Sequence, residues 1–162
     1  MVRKSHLVLA AILVVVASAV VSYAVSASVP SAALPAGSTR YYVDQGTSPV
    51  TTSDTVWHTA GGLSTSINIP GGQTGDVMIL FCGRTWSDDL TWMEVRAKIG
   101  SNVVSPGVLT MAWNASYEGH CANFVKTGVA AGTKTVKIEY RSGSFHNVEL
   151  GPRSMIVIVN LH

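Results

Sequence analysis

Two neighbouring stretches near the end of the sequence constrain this chain most. From Thr135 to Arg141 the residues alternate, with Val136, Ile138 and Tyr140 on one face and Thr135, Lys137, Glu139 and Arg141 on the other. A period of two places one dry and one wet side on a β-strand. Met155-Ile156-Val157-Ile158-Val159 follows, apolar at every position. Five residues are short for a helix and β-branched residues favour extended backbone, so this run is expected to be a central strand covered on both faces. A chain that ends on such a pair is expected to close a sandwich with it.

The preceding sequence repeats the theme. Tyr41-Tyr42-Val43 and Thr55 to Thr59 read as short strands. Leu63 to Ile69 and Thr91 to Ile99 alternate, the latter with Met93, Val95, Ala97 and Ile99 facing inward. Val77 to Cys82 is a second apolar run. Val103-Val104, Val108 to Trp113 and His120 to Val129 complete eight to ten short strands. Gly61-Gly62, Pro70-Gly71-Gly72, Gly100, Pro106-Gly107 and Ala131-Gly132 are read as breaks between them. No segment after the N-terminus has helical periodicity. The fold class expected is all-β, an antiparallel β-sandwich of jelly-roll type.

The N-terminus differs from the rest. Arg3 and Lys4 precede an apolar run from Leu7 to Val21, and small-x-small patterns end at Ala24 and Ala27. This is the layout of a signal peptide spanning residues 1–27. The alternative is an uncleaved membrane anchor, since the apolar stretch is long enough to span a bilayer. Residues 28–40, with Pro30 and Pro35, read as a flexible leader, and 41–162 as the folded domain. Either reading places the domain outside the cytoplasm, secreted or at the cell surface. Arg3 and Lys4 are two of 11 basic residues, which leaves nine against nine acidic ones. A formally neutral domain lacks the electrostatic footprint of a nucleic-acid binder.

Cys82 and Cys121 are the two cysteines. An even pair in an exported domain is expected to form a disulfide between two strands or two sheets. Beyond the signal segment the histidines His58, His120, His146 and His162 have no zinc-type spacing, and Asp88-Asp89 reads as a solvated turn, so neither metal nor cofactor is expected. There is no G-x-S-x-G, and the order Asp54, His58, Ser64 is unremarkable in a Ser/Thr-rich chain; no catalytic residue is assigned. Asn114-Ala115-Ser116 matches a glycosylation sequon.

The aromatic residues are the candidates for binding. Trp92 falls on the polar side of its strand beside Glu94 and Arg96, Trp86 precedes the Asp88-Asp89 turn, and Trp113 and Tyr117 flank a second loop. Flat rings with one polar handle suit stacking on a sugar or a partner protein. The competing expectation is that Trp86 and Trp113 plug the ends of the core and Trp92 packs under a loop.

The closing stretch A-G-T-K-T-V-K-I-E-Y-R-S-G, followed by Arg153-Ser154-Met155-Ile156-Val157-Ile158, resembles secreted or phage-associated bacterial jelly-roll domains, which look like the globular heads of the tumour necrosis factor and complement superfamily. The resemblance implies a non-enzymatic binding or assembly module, often a homotrimer. The function expected is a secreted, non-catalytic recognition or surface-structural module with a protein or glycan partner. A carbohydrate-binding module using the tryptophans is the alternative, and a hydrolase the third possibility.

Overall fold

A computed structural model describes residues 35–113 and 115–162. The expected signal peptide, most of the leader and Asn114 of the sequon lie outside the described residues. Seven strands form the described chain: β1 (Thr39–Gly46), β2 (Val50–Thr52), β3 (His58–Ser87), β4 (Met93–Ile99), β5 (Asn102–Ala112), β6 (Glu118–Ser142) and β7 (Val148–Leu161). All pairings are antiparallel, in the order β1-β7-β3-β6-β4-β5, with β2 alongside β7. The fold is an antiparallel β-sandwich of jelly-roll type.

The organising element is the ribbon of β3 and β6, strands of 30 and 25 residues. They pair from His58↔Tyr140 to Thr85↔Glu118, with register shifts between Thr59 and Ser64, Ile69 and Thr74, and Gly75 and Val77. The glycine clusters expected to end strands sit at these shifts. Gly61-Gly62 and Pro70-Gly71-Gly72 are taken up as irregularities within β3, and Ala131-Gly132 lies inside β6. Extra residues that bend a strand without ending its ladder are bulges, for which glycine is suited. The fewer, longer strands correct the expected eight to ten.

The two halves of the ribbon carry different neighbours. Residues Gly75–Ser87 of β3 pair with β7, and β7 pairs in turn with β1. Residues Val136–Ser142 of β6 pair with β4, which pairs with β5. The ribbon bends between these halves, and the inner faces meet in a core that includes Ile67, Ile79, Phe81, Phe124, Ile138, Met155 and Val157, all fully buried. The alternation expected for β4 holds, with Met93, Val95, Ala97 and Ile99 buried.

β7 departs from expectation. Met155, Val157 and Val159 are buried, but Ile156 is 36% exposed and Ile158 is only half-buried. The strand is central within its sheet and covered on one face only. A run of apolar residues cannot by itself distinguish a second covering layer from an apolar outer surface. Likewise Met78, in the run expected to be a second central strand, is 38% exposed.

Cys82 and Cys121 are bonded and face each other directly across β3 and β6. The disulfide therefore ties two adjacent strands of one sheet.

Candidate functional site

The candidate aromatic residues assemble at one end of the sandwich as two ring pairs, one stacked and one tilted, joined by one loop. Residues 113–117 connect β5 to β6. At the start of this loop Trp113 stacks on Trp92, with ring centroids 6.1 Å apart and planes at 22°. At its end Tyr117 meets Trp86 at 6.1 Å and 31°.

Trp92 is the fixed member of the first pair. It precedes β4, and its indole N–H donates to a Glu94 carboxylate oxygen at 3.1 Å. Its ring lies over Gly143, where a Cβ would overlap the indole. Gly143 N–H donates to Trp92 O at 2.8 Å, so backbone and ring are held together. Trp92 is half-buried in this seat, as the packing alternative anticipated, whereas Trp113 is 68% exposed and does not plug the core.

The second pair is held by charge. The Arg84 guanidinium stands 4.4 Å from the Tyr117 ring centre, and Tyr117 Oη donates to Glu149 at 3.1 Å. The hydrogen bond to Glu149 raises the Tyr117 phenol above its ordinary value. Trp86 is half-buried, and Tyr117 remains half-exposed at 51%.

Neighbouring turns extend the rim. Asn147 N–H donates to an Asp88 carboxylate oxygen, and Asp88 N–H donates to Asn147 O, both at 2.9 Å. Ser144 Oγ donates to Leu90 O at 2.9 Å. Thr91 and Ser142 hydroxyls, 3.0 Å apart, sit beneath. These bonds lock the Asp88–Thr91 turn to the 143–147 turn and leave Leu90 and Phe145 projecting, 71% and 78% exposed. Neither was singled out from sequence. The available signal was an isolated large apolar residue within a polar turn, as in Ser144-Phe145-His146.

Trp57 is a further aromatic that sequence reasoning missed. It lies beside the outer face of β4 and β6, with Arg96 4.0 Å and Arg141 4.5 Å from its ring centre. Both arginines are paired, Arg96 to Glu139 at 2.6 Å and Arg141 to Glu94 at 2.6 Å. Lys137 also reaches Glu139 at 2.6 Å. The wet face of β6 thus carries a ladder of ion pairs, two across to β4 and one along β6, and Glu139 is buried within it. Burial alone would raise the Glu139 carboxyl, but hydrogen bonds from Lys137 and Arg96 outweigh it and hold the group below its ordinary value.

The remaining candidates separate. Asp54 and His58 are in contact at 2.8 Å, which lowers Asp54. Ser64 lies beyond the register shift that follows Thr59, on the continuing strand. Among the described residues no group of three or more His, Cys, Asp or Glu could hold a metal ion. An open hollow of about 550 Å³ lies beside the disulfide, lined among others by Gln45, Thr47, His120, Cys121 and Ser154.

No family model and no curated protein matches the chain. Among solved structures it is similar to dimeric latent PorU from Porphyromonas gingivalis (TM-score 0.46, 8% identity), over 79% of this chain but only 13% of that one. It is also similar to the CBM36-1 domain of a multidomain xylanase from the hindgut metagenome of Trinervitermes trinervoides (TM-score 0.39, 14% identity, 72% of this chain and 96% of that one). A third similar structure is the carbohydrate-binding module CBM6cm-2 of Cellvibrio mixtus lichenase 5A in complex with cellotriose (TM-score 0.34, 18% identity, 69% and 87%).

Proposed function

We propose that this protein is an extracellular, non-catalytic recognition module whose aromatic rim stacks on the apolar face of a glycan. The observation that carries this reading is the Trp113–Trp92 pair. One ring is anchored on Gly143 and Glu94, and the other rests on it with 68% of its surface in solvent. A large apolar ring held at the surface of a small domain suits the C–H face of a sugar ring. Tyr117, at the far end of the same loop, supplies a second ring and a phenol for hydrogen bonding. Glu94 and Glu149 offer acceptors beside the two pairs. The disulfide accords with an oxidising compartment, which suits export.

Binding to a glycan array, followed by calorimetry on the best ligand, tests the proposal. Each of Trp113→Ala and Tyr117→Ala is expected to weaken binding about tenfold or more, equivalent to about 1.4 kcal/mol, while the far-UV spectrum is unchanged. Full-strength binding by both variants, or no glycan bound by the native protein, would remove the proposal.

A further inference from the structure

The outer face of the β1-β7-β3-β6 half is unlike the rest of the surface. Register places Tyr41, Ile158, Met78 and Val125 side by side in one row across the four strands. In the next row Val43, Ile156 and Leu80 are followed by Asn123. Tyr41 is 68% exposed, Val43 59%, Val125 44%, Met78 38% and Ile156 36%. A third row holds Gln45, Ser154 and the disulfide. No Asp, Glu, Lys or Arg occupies these rows; the row beyond them begins the polar margin, with Thr39, Asn160 and Asp76. The outer face of β4 and β6, by contrast, carries Glu94, Arg96, Lys137, Glu139 and Arg141 in mutual pairs.

We infer that this neutral apolar face is a self-association surface that packs against the same face of a second copy of the chain. Charge decides the occupant. A surface without charges offers nothing to a charged partner and repels nothing in its own copy, so it is complementary to itself. Shape agrees, because a pleated apolar sheet face is buried best by another one, as within a sandwich. Four strands about 4.8 Å apart and the two apolar rows about 6.8 Å apart make a footprint of roughly 260 Å² per copy, well below a permanent interface. The expected dimer is therefore reversible. A three-fold ring would need a second, different patch on each copy, and the opposite outer face is occupied by its own ion pairs. This inference does not depend on the glycan reading.

Light scattering on the full chain across low to high micromolar concentration tests the inference. The mass is expected to rise from one chain to two. Ile156→Lys and Val43→Glu, both at exposed positions, are expected to hold it at one chain with thermal melting unchanged. A measurement on the native chain needs no variant: peroxide oxidation of Met78, followed by mass spectrometry, should slow at least twofold as the dimer forms. A constant monomer mass with concentration-independent Met78 oxidation, a trimer, or a dimer that survives both substitutions would each overturn the inference. So would a monomer that floats with neutral phosphatidylcholine vesicles through Ile156 and Val43, since that would give the face to a lipid surface.

Discussion

At the scale of single residues, two positions hold parts of the molecule that sequence motifs do not connect. The first is Gly143. Because Trp92 lies where its Cβ would be, Gly143→Ala must push the indole off its seat. Trp92 carries Trp113, so a methyl group added under the rim should disturb both rings. The expected outcome is a shift in tryptophan emission and a loss of glycan affinity as large as that of Trp113→Ala, with the secondary structure intact. The second is Arg153, which is buried and is paired with no carboxylate among the described residues. Its guanidinium donates to Gly61 O (Nε at 3.0 Å, with Nη2 on the same oxygen), to Ser48 O at 2.8 Å and to Gly151 O at 2.9 Å. It thereby clasps the β1–β2 turn and the glycine bulge of β3 onto β7. Gly46 must lack a side chain here, since a Cβ would lie 2.5 Å from Gly61 O and 2.8 Å from Arg153 Cζ. Arg153→Met would leave several buried carbonyls without donors, at a cost of about 2–4 kcal/mol in urea unfolding. Arg153→Lys should recover only part of this, because an ammonium group cannot reproduce the planar fork.

At the scale of elements, the ion-pair ladder on β4 and β6 makes one segment sensitive to acid. Glu139 ionises more readily in the folded protein than in the unfolded chain because Lys137 and Arg96 hydrogen-bond to it. A lowered folded value means that its contribution is complete above the ordinary value of 4.5 and is lost as pH falls through the lowered one. Native stability should therefore decline as pH drops below about 4.5, and Glu139→Gln should flatten that decline while costing stability at neutral pH. Thermal melts at stepped pH, with the variant beside the native protein, check both slopes. An unchanged slope in the variant would assign acid sensitivity to other carboxylates.

At the scale of the whole molecule, the sequence was legible wherever one face is wet and the other dry. The alternation over Met93–Ile99 and Val136–Tyr140 predicts the buried face correctly, and the paired cysteines predict their bond. Trp86, Trp92, Trp113 and Tyr117 do come together, though their meeting in pairs depends on loop closure that spacing does not reveal. Glycine was misleading. In Pro70-Gly71-Gly72 it permits a bend inside a 30-residue strand as readily as a turn between two strands. The apolar runs were ambiguous for a related reason: Ile156 and Met78 are apolar without being covered. The long strands have a consequence for cooperativity. β3, β6 and the C-terminal part of β7 hold the centre of the sheet, while the three-residue β2 pairs, among the described residues, with β7 alone and lies off the main strand order. Hydrogen exchange should rank amides accordingly. Those of Ile79, Phe81, Phe124 and Val157 are expected to open only on global unfolding, and those of β2 by local fraying. Cys82 and Cys121 lie 39 residues apart, at the centre of the slow group. Replacing both by serine should lower global stability by about 3–4 kcal/mol on chain-entropy grounds. It should speed exchange at the centre far more than at β2, because β2 already opens without global unfolding. If both groups accelerated equally, the bond would be supporting the edge strands as well, and the β3–β6 ribbon would not be the independent scaffold its register implies.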